Sequence, residues 1–133
     1  MSSEGFHDRD GLIWYDGEML DWRNARLHVL SHALHYASSV FEGERVYSGN
    51  IFKLRQHTER LIHSAEILGF EIPYSADEID SACMQACKAN EFRTHLSGIV
   101  QQVACHQLLG FVAACRFCCK NRYLQKFNSN IPY

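Results

Sequence analysis

Long apolar runs are missing from this sequence of 133 residues. No run approaches the roughly 18 consecutive apolar residues that a membrane helix needs. Residues 1–11 are polar and partly acidic, whereas a signal peptide begins with basic residues followed by an apolar stretch. Both observations argue against secretion and membrane insertion, so we expect a cytoplasmic protein with no membrane partner.

Glycine-rich phosphate loops are missing as well. The sequence contains neither Gly-x-Gly-x-x-Gly nor the lysine-tipped loop of nucleotide-binding proteins. A formal net charge of -2 does not indicate a nucleic-acid partner. With 47% hydrophobic residues, the chain is long enough for one domain with a buried core. The composition therefore predicts a globular protein that binds neither nucleotides nor nucleic acid.

Acidic residues are missing from the C-terminal part of the chain. All 15 lie at or before Glu91, while residues 93–133 contain five basic residues and four of the six cysteines. Cysteines in a chain without a signal peptide are typical of reduced cytosolic thiols, not of a disulfide framework. The abrupt change in composition predicts two parts, a globular domain in residues 1–92 and a divergent tail in residues 93–133.

Two groups of potential metal ligands occur. His28, His32 and His35 would place three imidazoles on one helix face, which suits zinc, if residues 27–35 formed a continuous helix. The sequence lacks the glutamate of His-Glu-x-x-His, so we favour histidines bonded to backbone in a packed loop and predict no metal site. The tail also offers a weak Cys-x-x-Cys signal. The alternative hypothesis is a small zinc-binding interaction module built on four residues: Cys105, His106, Cys115 and Cys118.

Turn residues and alternation predict strands in the first half of the chain. Asp16-Gly17 supplies the positive φ angles of a tight turn, which predicts a β-hairpin over residues 12–20. Residues 22–39 lack clean periodicity and are interpreted as loop, short strand and helical turn. Residues 40–47 alternate with the period of a strand, and a second strand is predicted at Ile51–Leu54.

Helical periodicity begins at Gln56 and predicts a helix that Gly69 can end. Ser75 and Glu78 form a possible capping box for a second helix. The predicted fold class is α+β with α/β layers, in which antiparallel strands are followed by two packing helices. Periodicity does not decide the tail, since residues 99–109 could be an apolar helix and residues 110–114 a buried strand. The remainder of the tail is expected to be partly helical or disordered.

The predicted strand over residues 40–47 carries different chemistry on its two faces. Glu42 and Glu44 share one face, where carboxylates on an edge strand are ordinarily solvated and acid–base chemistry is the alternative. The other face carries an aromatic ring at Phe41, a gap for a ligand at Gly43 and a fixed cation at Arg45. The pattern predicts a pocket wall on this second face.

The run His-Ala-Leu-His-Tyr-Ala-Ser-Ser-Val-Phe-Glu-Gly-Glu-Arg, residues 32–45, closely resembles the motif of branched-chain amino-acid aminotransferases. These are fold-type IV, or class IV, pyridoxal-phosphate enzymes. The resemblance extends over about residues 10–92 and implies the small N-terminal domain of such an enzyme. It also implies amino-group transfer from leucine, isoleucine or valine to 2-oxoglutarate, with the cofactor as electron sink, in a dimer or larger homo-oligomer.

The resemblance implies roles for five residues. Arg60 matches the arginine that binds the cofactor phosphate, a role that suits a guanidinium fork meeting a dianion. Phe41 and Gly43 match residues that line the apolar side-chain pocket. Tyr36 matches a tyrosine that reaches the pocket of the partner subunit, and Arg45 matches a basic residue near that pocket.

The resemblance ends after Phe92, before the second domain of the family, which carries the Schiff-base lysine. Lys120 and Lys126 have no matching context, so we expect no catalytic residue in this chain, weak cofactor binding and no transamination by the chain alone. The abrupt change motivates the hypothesis of an altered reading frame, which the DNA downstream of codon 92 would test. A fragment of a D-amino-acid transaminase or of an aminodeoxychorismate lyase is the alternative within fold-type IV.

Overall fold

The computed structural model describes residues 8 and 10–91, together with the backbone of residues 97–104 and 110–115. Strands and helices follow one another in an order that confirms the predicted α+β class. The elements are β1 (Leu12–Tyr15), β2 (Glu18–Asp21), a 3-10 turn (Trp22–Asn24), α1 (His32–Tyr36), β3 (Ser39–Tyr47), β4 (Asn50–Ile51), α2 (Leu54–Ile67), α3 (Ala76–Ala89), β5 (Ser97–Ala104) and β6 (Gly110–Cys115). None of the helices in this described part has the length and apolar character of a membrane span.

The six strands form one sheet in the order β2-β1-β6-β5-β3-β4, and every neighbouring pair is antiparallel. Strand β5 pairs along most of β3, from Ser39 opposite Ala104 to Val46 opposite Ser97. The helix considered for residues 99–109 is therefore wrong over residues 99–104, while residues 105–109 lie outside the described part, and the strand considered for residues 110–114 is confirmed as β6. Two strands from the compositionally distinct tail thus lie between β1 and β3. The separate origin of that tail stays a prediction.

Local backbone geometry explains where the first strands end. The hairpin turn is confirmed, with φ of 50° at Asp16 and 97° at Gly17. The strand expected within residues 22–39 is wrong, because this segment contains the 3-10 turn and α1. The strand predicted at Ile51–Leu54 is too long, because Lys53 adopts a φ of 53° and α2 begins at Leu54.

Helices α2 and α3 pack on the face of β3 that carries Val40 and Val46. The capping box at the start of α3 is confirmed by bonds in both directions between Ser75 and Glu78. The side chains that α3 buries are Ile79, Ala82, Cys83, Ala86 and Cys87. In α2 the buried side chains are Thr58, Leu61 and Ala65. Leu68 lies just beyond α2 and is exposed.

Asn90 joins the end of α3 to the start of β1. Its Oδ1 accepts a 2.9 Å hydrogen bond from the Leu12 N–H, and its Nδ2 donates to the carbonyl oxygens of Leu12 at 2.9 Å and Ala86 at 2.8 Å. The side-chain amide therefore substitutes for a neighbouring strand at this point of β1.

We expect Asn90→Ala to lower the free energy of unfolding by about 1–3 kcal/mol, because it leaves partly buried backbone groups without partners. Urea denaturation monitored by circular dichroism would measure the change. Asn50→Ala is the matched control, since the Asn50 amide makes one long hydrogen bond of 3.4 Å at an exposed turn. Equal effects of the two substitutions would contradict the assignment of Asn90 as a structural clamp.

Candidate functional site

Three side chains meet where β3 packs against α2, and we call Glu42, His57 and Arg60 the Glu42 cluster. The Arg60 guanidinium binds the carboxylate side-on, with Nε 2.6 Å from Oε1 and Nη2 2.6 Å from Oε2. His57 Nδ1 lies 2.9 Å from Oε2 of the same carboxylate. His57 and Arg60 are three residues apart on α2, so the helix turns both toward β3.

Glu42 is a largely buried carboxylate that stays ionised. Burial alone would raise the pKa of Glu42, but hydrogen bonds from Arg60 and His57, together with their charges, lower this pKa to about 2. The Arg60 side chain is by contrast 62% exposed, against 10% for that of Glu42. The cluster therefore fixes a negative charge between sheet and helix and presents a cation toward solvent.

Glu44 lies two residues further along β3 and is more deeply buried, with 2% exposure. Neither of its carboxylate oxygens has a hydrogen-bond partner within the described part of the chain. Burial, followed by the negative charges of Glu42 and Asp80, raises the pKa of Glu44 to about 8. Glu44 is therefore mostly a neutral acid at pH 7. In α3, burial and then the Glu44 charge raise the pKa of the Cys87 thiol to about 11.

The expectation that Glu42 and Glu44 are solvated is wrong. Strand β5 pairs beside both residues on one side, whereas β4 reaches only Val46 and Tyr47 on the other, so the two carboxylates are buried by helices and not by a second neighbouring strand. The face that carries the two carboxylates is covered by α2 and α3. Acid–base chemistry at Glu44 is not supported either, since its side chain has almost no contact with solvent.

Side chains on the opposite face of β3 are exposed, and the pocket wall expected there stays a prediction. Phe41 is 72% exposed and Tyr47 is 46% exposed. A Cβ atom built on Gly43 would meet nothing within 4 Å. The structure thus places Phe41, Gly43 and Arg45 on one face of β3, while Arg60 lies on the other face with Glu42.

Helix α1 carries Tyr36, the remaining predicted pocket residue, and is only five residues long. Tyr36 is 71% exposed, and the rings of His32 and His35 lie 5.2 and 5.9 Å from its ring centre. The continuous helix over residues 27–35 is wrong, because His28 lies in the preceding loop. There its Nδ1 accepts a 3.1 Å hydrogen bond from the Leu30 N–H, which confirms the backbone bond expected of His28, but the residue is exposed and not packed.

Metal-binding alternatives receive no support from the side chains that the structure describes. No group of three or more histidine, cysteine or acidic side chains there could hold a metal ion. The proposed zinc ligands Cys105, His106 and Cys118 lie outside the described residues, and of Cys115 only the backbone is described. The zinc-binding module therefore stays a prediction, and stoichiometric zinc in the purified protein would support it.

A model of the amino-transferase class IV family matches residues 39–104. The matched segment runs from β3 through both long helices to the end of β5, and it contains the whole Glu42 cluster. Residues 39–104 are therefore similar to class IV aminotransferases. The match continues past Phe92, where the recognisable motifs end, and includes the first strand of the tail.

The relatives that the chain resembles in sequence agree on one group. The chain is 53% identical over 81 residues to a probable branched-chain-amino-acid aminotransferase of Rickettsia felis, covering 61% of this chain and 28% of that relative. It is 50% identical over 91 residues to the branched-chain-amino-acid aminotransferase of Pseudomonas aeruginosa, covering 65% and 30%. The chain thus spans less than a third of the length of these curated relatives.

A solved structure gives the same result for the fold. The branched-chain amino acid aminotransferase from Escherichia coli superposes with a TM-score of 0.72 and 33% sequence identity. The superposition covers 80% of this chain and 41% of that protein. The described residues therefore have the fold of the N-terminal part of a class IV aminotransferase.

Sequence reasoning alone missed the partnership between Glu42 and Arg60. Two features of the sequence indicated this partnership. Glu42 lies on the same face of β3 as the apolar Val40, and His57 and Arg60 share one helix face. The two carboxylate partners are 15 and 18 residues away along the chain. Only the packing of α2 on β3 brings them together.

Proposed function

We propose that this chain supplies part of the cofactor and substrate site of a branched-chain amino-acid aminotransferase. Such an enzyme transfers an amino group between leucine, isoleucine or valine and 2-oxoglutarate. The observation that carries the proposal is the Arg60 guanidinium, which is held by a buried carboxylate and still faces solvent. The names of the relatives favour the branched-chain group over the D-amino-acid transaminase and lyase alternatives.

Arg60 suits the phosphate of pyridoxal phosphate because a planar, permanently charged fork can donate two hydrogen bonds to a dianion. When bound, the cofactor supplies an electron sink for amino-group transfer. Phe41 and Gly43 would line the apolar pocket for the substrate side chain, with Arg45 beside them. Tyr36 would reach the pocket of a partner subunit in a homo-oligomer. Phosphate and substrate side chain would then contact different faces of β3.

The lysine that the reaction needs is not supplied by the Glu42 cluster. Within residues 10–91, Lys53 lies over the Phe52 ring at 5.5 Å and Lys88 lies in the last turn of α3. We therefore expect the purified 133-residue chain to form no glutamate from leucine and 2-oxoglutarate in the presence of pyridoxal phosphate. Leucine-dependent glutamate formation above a protein-free control would contradict this expectation.

The phosphate role of Arg60 is tested by comparing pyridoxal phosphate with pyridoxal, which lacks the phosphate. The wild-type chain should bind pyridoxal phosphate more tightly, and Arg60→Gln should lower that preference by about tenfold, since charge-assisted hydrogen bonds contribute about 1.5–3 kcal/mol. Titrations followed by tryptophan fluorescence would give both dissociation constants. The exposed Arg26→Gln is the matched control. An unchanged preference in Arg60→Gln would remove Arg60 from the cofactor site.

A further inference from the structure

We infer that Glu42 is a positioning residue that fixes the Arg60 guanidinium for phosphate binding. The inference rests on the proposed role of Arg60 and adds a second residue to that site. Glu42 itself would not touch the ligand. It would act through the orientation that it imposes on the arginine.

The anchor on the Glu42 side is rigid. Glu42 lies in the interior of β3, paired opposite Gln101 of β5, and its side chain is 10% exposed. The His57 contact at 2.9 Å adds a second constraint on the same carboxylate. A buried carboxylate on a paired strand, with His57 as a second partner, moves less than an exposed arginine side chain, so the arginine adapts to it.

The geometry of the pair fixes the plane of the guanidinium. Glu42 is bound through Nε and Nη2 of Arg60, and both distances are 2.6 Å. A guanidinium held through Nε and Nη2 directs Nη1 away from the carboxylate, while Nη2 also lies 3.2 Å from His57 Nδ1. Exposed arginine side chains otherwise sample many rotamers, and the freedom lost on binding an anion weakens that binding. Holding the arginine beforehand removes much of this loss.

The negative charge of Glu42 also repels an approaching phosphate, and this repulsion opposes the benefit of orienting Arg60. Its pKa of about 2 keeps Glu42 ionised under all ordinary conditions. The charge is, however, in contact with Arg60 and accepts a hydrogen bond from His57. A phosphate on the solvent side of Arg60 meets that compensated charge at longer range, where water and salt screen it. Orientation therefore outweighs repulsion, and removal of the carboxylate should weaken phosphate binding.

The test is the ratio of pyridoxal to pyridoxal phosphate dissociation constants for Glu42→Gln. Glutamine keeps the shape but turns an NH2 group toward the arginine donors, and the ratio should fall about threefold to tenfold. Binding of pyridoxal itself should change little, whereas a merely structural loss would weaken both ligands alike. The matched control is Glu59→Gln, an exposed glutamate on α2. If Glu42→Gln does not fold, Glu42→Asp replaces it in the test. Aspartate keeps the charge on a shorter side chain, so its ratio should lie between that of the wild type and that expected for Glu42→Gln.

The outcomes distinguish the positioning role of Glu42 from the proposed phosphate-binding role of Arg60. A ratio that falls in Arg60→Gln but is unchanged or rises in Glu42→Gln would overturn the positioning role and leave Arg60 as the phosphate ligand. A ratio that is unchanged in Arg60→Gln would overturn both. A fall in both variants, with Glu59→Gln at the wild-type ratio, is the result that we predict.

Discussion

Glu44→Gln should make the protein more stable than the wild type at pH 8.5, with little difference at pH 4.5. Glu44 is buried, and neither oxygen has a partner in the described residues. Burial and the charges of Glu42 and Asp80 raise its pKa from 4.5 to about 8 in the folded state. The folded protein therefore favours the neutral acid, and the stability this provides is complete below pH 4.5 and is lost as pH rises to about 8.

Glutamine stays neutral throughout this pH range, so the variant avoids the loss. The difference in the free energy of unfolding at pH 8.5 should be a few kcal/mol, because about 1.4 kcal/mol corresponds to each unit of pKa change. Urea denaturation at several pH values would measure it. Glu18→Gln, an exposed glutamate on β2, is the matched control and should show no such trend. A difference between Glu44→Gln and wild type that does not grow with pH would contradict the buried neutral acid.

Gly11→Ala should destabilise the fold by about 3 kcal/mol, whereas Gly43→Ala should change stability by less than about 0.5 kcal/mol. Gly11 has a φ of 144°, and a Cβ there would lie 2.8 Å from Oδ1 of Asn90. That oxygen accepts the hydrogen bond of the Leu12 N–H. Backbone strain of about 1–3 kcal/mol would thus be added to damage to the Asn90 clamp.

Gly43 has neither the positive φ angle nor the close side-chain neighbour that restrict Gly11. A Cβ on this strand residue would enter open space, and alanine has no lower strand propensity than glycine. Thermal or urea denaturation of both variants would decide the comparison. A large loss of stability in Gly43→Ala would show that the fold requires this glycine, and it would weaken its assignment to the substrate pocket.

Local signals in the sequence were sufficient for several elements of the fold. Asp16-Gly17 fixes the first hairpin, and Ser75 with Glu78 fixes the start of α3, because each signal lies within a few residues of its effect. Alternation also separated the two faces of β3. It could not decide the secondary structure of residues 99–109, since a run of apolar residues suits a buried strand and a buried helix equally.

Non-local contacts explain what was missed in the site. The burial of Glu42 and Glu44 depends on the packing of α2 and α3 against β3, and both helices follow β3 in the chain. Carboxylates at alternate positions ordinarily indicate a solvated face. The local pattern therefore predicted that the face of β3 with Glu42 and Glu44 is exposed, whereas the structure buries it. Family resemblance identified Arg60, but only the folded structure brings it to Glu42.

Binding of the cofactor phosphate by Arg60 is tested most directly by nuclear magnetic resonance of the isotope-labelled chain. The Nε–Hε resonance of each arginine side chain would be followed during titration with pyridoxal phosphate and, separately, with pyridoxal. We predict a saturable shift of the Arg60 resonance with pyridoxal phosphate, a much smaller shift with pyridoxal, and no comparable shift of the Arg26 resonance. Saturable binding that leaves the Arg60 resonance unmoved, or no binding of pyridoxal phosphate, would contradict the proposed site.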